Sequence, residues 1–126
     1  TRTTIGTKLT KPQELIKVNG LQVAPAELEA ALLEFNPIAD AAAVGITLEN
    51  QEWPRAYVVL KDEYKGKTTA EEVQAHMKAR VAKHKQLVGG IVFVDEVPKL
   101  QSGKIMRKLM REWAKKDAEM MSKARL

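Results

Sequence analysis

Residues 89–107 read Gly89-Gly90-Ile91-Val92-Phe93-Val94-Asp95-Glu96-Val97-Pro98-Lys99-Leu100-Gln101-Ser102-Gly103-Lys104-Ile105-Met106-Arg107. The glycine pair breaks the chain, Ile91 to Val94 is a short apolar run of buried-strand type, and Pro98 to Gly103 is a loop. That loop leads into a final helix, where Ile105, Met106, Leu109, Met110 and Trp113 form an apolar stripe and the basic residues fall largely outside it. Ser102-Gly103-Lys104 invites comparison with a phosphate-binding Walker loop, but fails it. Such a loop needs glycine five positions before Gly103, where Pro98 stands, and Ser or Thr after the lysine, where Ile105 stands. What remains is a lysine at the mouth of a helix, held by a turn that glycine permits. Its ammonium could meet a carboxylate or phosphate as a compact point charge, or could be an ordinary surface lysine.

Working upstream, Thr69 with Glu72 three positions later is a capping-box pattern ahead of a helix to about Lys83, with Val73, Met77 and Val81 on its apolar face. Ala41–Ile46 and Arg55–Lys61 are predicted as short strands joined by a polar loop containing Pro54. Pro25 opens a helix with Glu27 and Glu29 in its first turn, where the dipole favours anions. Leu28, Leu32 and Phe35 share one face of it, and Asn36-Pro37 ends it. At the start, Glu14–Val23 alternates polar and apolar residues around Asn19-Gly20, the strongest short signal for a β-hairpin. The predicted fold is α+β: an N-terminal hairpin plus a short sheet of about three strands flanked by helices.

The chain has 126 residues and a formal net charge of +5, with 44% apolar and 29% charged residues, which suits one globular domain. The charge is uneven. Residues 1–103 carry 13 basic and 13 acidic side chains, whereas residues 104–126 carry eight basic against three acidic. A basic helix admits a nucleic-acid-binding module, though a solvated face accounts for it too, and only six aromatic residues and no familiar recognition motif accompany it. No window approaches the ~18 apolar residues of a membrane span. Without cysteine there is no disulfide framework, thiolate nucleophile or Cys-bound zinc. His76 and His84, eight apart without a nearby third ligand, make a poor metal site. Glu71-Glu72 and Asp95-Glu96 are sequence neighbours that point different ways, unlike a catalytic dyad.

Two segments together resemble the carboxyl-terminal domain of the adenylate-forming (AMP-binding) enzymes: acyl-CoA synthetases, aryl-CoA ligases, luciferases and peptide-synthetase adenylation domains. They are Glu14-Leu-Ile-Lys-Val-Asn-Gly-Leu-Gln-Val-Ala-Pro-Ala-Glu-Leu-Glu29 and the Gly89–Arg107 stretch with Lys108. The run from Gln22 to Glu29 is especially similar to 4-coumarate-CoA ligases and luciferases. The resemblance implies a lid domain over residues 10–116, after a linker at 1–9 and before a tail at 117–126, in a ligase that joins a carboxylic acid to CoA through an acyl-adenylate.

It further implies ATP/AMP and CoA, with Mg2+ in the parent enzyme, and a larger amino-terminal domain as partner. That domain would hold the phosphate loop and acyl pocket, so this chain is expected to be an excised or truncated lid, inactive alone. By position, Lys104 matches the lysine of adenylate formation. Lys17 and Gln22 match residues that approach the adenylate after the lid rotates, and Asn19, Gly20 and Leu21 match the loop beside the pantetheine tunnel. Thr10 and Lys11 stand at the hinge, where the family usually has an acidic residue and arginine. Asn19 replaces the lysine common in plant ligases. Loading a carrier protein in place of free CoA is the alternative within the superfamily. Ala124-Arg125-Leu126 resembles the Ser-Lys-Leu peroxisomal address by residue class, implying an import receptor and a peroxisomal, otherwise cytoplasmic, location.

Overall fold

The structure is a computed structural model, and it describes residues 15–124; Thr10, Lys11, Arg125 and Leu126 lie outside the described residues, as does the expected linker at 1–9. The expected hairpin is present. Strands β1 (Ile16–Val18) and β2 (Leu21–Val23) pair antiparallel with Ile16 opposite Val23 and Lys17 opposite Gln22. Asn19 and Gly20, at φ 53° and 84°, make the tight left-handed turn that this dipeptide accommodates. Two residues after β2 ends, Pro25 begins α1 (Pro25–Leu33), its fixed φ suited to a first helical position.

Strands β3 (Ile38–Leu48) and β4 (Gln51–Leu60) form a long antiparallel hairpin, and β5 (Ile91–Phe93) pairs parallel with β4 along Ala56–Val58. Helix α2 (Ala70–Arg80) lies between β4 and β5 in the chain, and α3 (Arg107–Ala124) closes it. Both capping-box hydrogen bonds of α2 form between Thr69 and Glu72. The domain is thus α+β, with a two-stranded hairpin and a three-stranded sheet ordered β3-β4-β5.

Period-2 alternation explains how the sheet buries both faces. Ala41, Ala43, Ala56 and Val58 face a core completed by the hairpin, by Leu28 and Leu32 of α1, and by Val73 and Met77 of α2. Ala42, Val44, Ile46 and Tyr57 face the opposite core, closed by Met110 and Ala114 of α3. Small alanines in β3 let the helices approach closely, and each fully buried Leu contributes about 2 kcal/mol by transfer from water.

Several expectations are corrected. The polar loop around Pro54 is strand, and the turn falls instead at Glu49-Asn50, where both residues have positive φ. Pro54 is tolerated because its carbonyl faces the β5 side, accepting the Gly89 N–H at 2.7 Å, so its missing N–H lies beyond the end of β5 and interrupts no ladder. Helix α1 stops at Leu33, short of Asn36-Pro37. The expected buried strand β5 is an edge strand with Phe93 39% exposed. The last helix starts at Arg107, so Ile105 and Met106 precede it, and it passes residue 116 without a break to reach Ala124.

Candidate functional site

Lys104 sits on the exit arm of a tight turn, just past Gly103 and three residues before the last helix begins, rather than at the helix mouth itself, which corrects the sequence expectation. Lys99 and Ile105 form an antiparallel bridge. Between them the Leu100 N–H donates to the Lys104 carbonyl and the Gly103 N–H to the Leu100 carbonyl, each at 2.8 Å. Gly103, at φ 91°, takes the left-handed conformation that closes the turn. The Met106 N–H then donates to the Pro98 carbonyl at 3.0 Å, locking the exit of the turn to its entry. Lys104 is exposed, and its ammonium makes no ion pair with any described residue.

A cleft of about 500 Å³ opens beside this lysine, walled by Gly103, Lys104 and Arg107 on one side and by Leu15, Ala24 and Pro25 at the base of the hairpin on the other. Lys17, Asn19, Gly20, Leu21 and Gln22 do not line it. They cluster at the exposed end of the hairpin, where Lys17 and Gln22 are cross-strand neighbours and Leu21 is 51% exposed. An added Cβ at Gly20 would meet nothing within 4 Å. The hairpin is fixed to β4 by the Lys17 N–H, which donates to Glu52 Oε1 at 3.1 Å. The candidate residues therefore form two groups, a lysine turn and a hairpin end. A larger cleft, about 820 Å³, lies between the β3–β4 turn and α3 and contains none of them.

Two clusters escaped the sequence reading. Glu29, expected in the first turn of α1 as an anion favoured by the dipole, lies past that turn and is buried: its Oε2 accepts the Ala43 N–H at 2.8 Å, and both its oxygens accept from the Arg107 guanidinium. The available signal was its place beside Leu28 and Leu32 on the apolar stripe, since a carboxylate there demands a partner. The second cluster holds α3 to the sheet. Arg55 donates to the Gly89 carbonyl, to the Tyr57 hydroxyl and to Asp117, and the Tyr57 hydroxyl donates to Asp117 at 2.6 Å. Burial, reinforced by the bond to Asp117, pushes the Tyr57 hydroxyl up to about 12. Trp113 packs edge-on against the Tyr57 ring.

Among the described residues no three His, Cys, Asp or Glu side chains group as metal ligands. His76 serves structure, with Nε2 2.8 Å from the Ala31 carbonyl and its ring stacked on Phe35. Nor is any helix among the described residues long and apolar enough to cross a membrane.

Comparison with known proteins matches residues 27–104 to the AMP-binding enzyme C-terminal domain. Over 108 residues, 82% of this chain and 18% of the relative, the sequence is 46% identical to an acyl-CoA synthetase of Alternaria alternata. It is also 46% identical over 106 residues, 82% of this chain and 19% of the relative, to a luciferin 4-monooxygenase of Luciola mingrelica. Among solved structures, an anthranilate CoA ligase in complex with anthranoyl-AMP superposes with a TM-score of 0.75 at 29% identity, over 84% of this chain and 21% of that one. The chain spans about one fifth of the length of these relatives.

Proposed function

Because the chain belongs to the AMP-binding enzyme C-terminal domain family, we propose that it is the lid of an ATP-dependent ligase joining a carboxylic acid to CoA. In the first half-reaction a carboxylate oxygen attacks the α-phosphorus of ATP and pyrophosphate leaves. Lys104, an ammonium on a braced turn with no ion-pair partner among the described residues, is the observation that carries this reading. It would contact the substrate carboxylate and the α-phosphate, drawing the two anions together and countering charge in the transition state.

In the second half-reaction the lid turns its hairpin toward the adenylate, the CoA sulfur attacks the acyl carbon, and AMP leaves. Lys17 and Gln22 would then meet the adenylate, while Asn19, Gly20 and Leu21 border the pantetheine arm. The open space around Gly20 supports that role. Mg2+ would accompany the ATP phosphates, held outside the described residues. Thr10 and Lys11 would lie at the hinge, and the amino-terminal domain of the same protein would supply the acid pocket. Where Leu126 ends the protein, Ala124-Arg125-Leu126 would serve as a peroxisomal address.

The test uses a full-length ligase ending in this chain, assayed for acid-dependent pyrophosphate exchange and for thioester formation. Free CoA as acceptor supports the proposal; acceptance only of a phosphopantetheinylated carrier protein would replace it with carrier loading.

A further inference from the structure

The turn that presents Lys104 is tied to the rest of the domain on both flanks. On the entering side Lys99 Nζ lies 2.8 Å from Asp40 Oδ2 of β3. On the leaving side Arg107 closes a fork on Glu29, with Nη1 donating to Oε2 at 2.7 Å and Nη2 to Oε1 at 2.9 Å. The two ties are unequal. The side chains of Lys99 and Asp40 are 37% and 28% exposed, which leaves that pair to solvent screening. Glu29 is 10% exposed and Arg107 26%, and a planar two-point contact fixes orientation as well as distance.

Arg107 is the first residue of α3 and stands three positions after Lys104. The intervening chain has little freedom, since Met106 is bonded to Pro98 and Lys104 to Leu100. Where the guanidinium sits therefore determines where the Lys104 backbone sits. Glu29 is in turn held by the Ala43 N–H of β3, so the fork is referenced to the central sheet rather than to a surface side chain. A buried ion pair is weak evidence for stability, because an apolar pair of similar volume packs as well; a demand for orientation explains its presence better.

We propose that Glu29 and Arg107 are positioning residues for Lys104, setting the aim of its ammonium during adenylate formation. This rests on the assignment of Lys104 to that step. A compact ammonium acting on two anions loses effect steeply when displaced, so a looser turn slows the first half-reaction and leaves the hairpin's half-reaction alone.

The experiment uses the full-length ligase ending in this chain, with Glu29→Gln, Arg107→Lys, the double variant and Lys104→Ala. Gln keeps an acceptor for the Ala43 N–H, and Lys keeps the charge without the fork. Both single variants should lower the turnover of pyrophosphate exchange about tenfold at unchanged KM for ATP. The double variant should be no worse than either single one, and thioester formation from supplied acyl-adenylate should stay within about twofold of wild type. Unchanged exchange in both single variants overturns the proposal, as does an equal fall of both half-reactions, which marks a folding defect. If Lys104→Ala is itself silent in exchange, the assignment of Lys104 fails and the positioning role with it; a silent fork beside a crippled Lys104→Ala enzyme refutes the positioning role alone.

Discussion

Arg55 on β4 and Asp117 on α3 are 62 positions apart in sequence and meet at 2.9 Å, Nη2 to Oδ2. The Arg55 side chain is 8% exposed and that of Asp117 33%, so the pair closes the sheet–helix seam from its edge. Asp117→Ala leaves the arginine with the Gly89 carbonyl and the Tyr57 hydroxyl but without a countercharge. A loss of about 2 kcal/mol is expected, below the roughly 3–5 kcal/mol of breaking a fully buried pair because one partner is partly solvated. Urea unfolding measures it, as a lower midpoint at unchanged slope.

The same cluster sets an alkaline limit. The folded Tyr57 holds its proton to about pH 12, whereas the unfolded chain releases it near 10.0. Below 10.0 both states are protonated and the contribution is fully present. Between 10.0 and about 12 the unfolded state binds fewer protons, so stability falls as pH rises. Unfolding midpoints across that window should decline more steeply for wild type than for Tyr57→Phe; parallel curves would count against the raised tyrosine.

Lys104→Ala in the full-length ligase should lower adenylate formation by on the order of 100-fold while sparing thioester formation from supplied adenylate. Fold stability should be untouched, since the side chain is exposed and unpaired among the described residues. Acetylation of Lys104 should reproduce the loss by removing the charge. Half-reaction kinetics checks both, and an equal loss in both halves would contradict the assigned role.

Gly20→Phe should act in the opposite half. The positive φ at this turn costs a non-glycine residue about 1 kcal/mol, and no neighbour within 4 Å clashes with an added Cβ, so the domain should still fold. A ring standing off the hairpin end should slow thioester formation about tenfold with pyrophosphate exchange retained. Gly20→Ala separates backbone strain from bulk. Unchanged CoA kinetics for Gly20→Phe would remove the hairpin end from the thiol path.

What was legible in the chain was local. Asn19-Gly20 specifies its own turn and Thr69 with Glu72 its own cap, because each signal is complete within four residues. The family resemblance rested on two such contiguous blocks, and residues 27–104 indeed match that family. What stayed hidden depended on partners far away. Pro54 sits in a strand because its nitrogen faces the β5 side, where the ladder begins only at Ala56, and nothing near Pro54 encodes where β5 begins. Glu29 resembled a dipole-stabilising anion until Arg107 and Ala43 came within bonding distance. The start of α3 was misplaced for a related reason: Ile105 and Met106 extend the helical stripe in sequence, but the bridge to Lys99 and the bond to Pro98 claim them for the turn.

The parallel placement of β5 also orders assembly in time. The β3–β4 ladder closes through the two residues Glu49 and Asn50, so it can zip on the microsecond scale of hairpins. β5 can join only after the chain has built α2 and crossed back, a slow, non-local closure. The Lys104 turn follows β5 and borrows its anchors from β3, α1 and α3. The turn's own hydrogen bonds are local, spanning Pro98 to Met106, but the anchors that orient it on the sheet are long-range and depend on that slow closure.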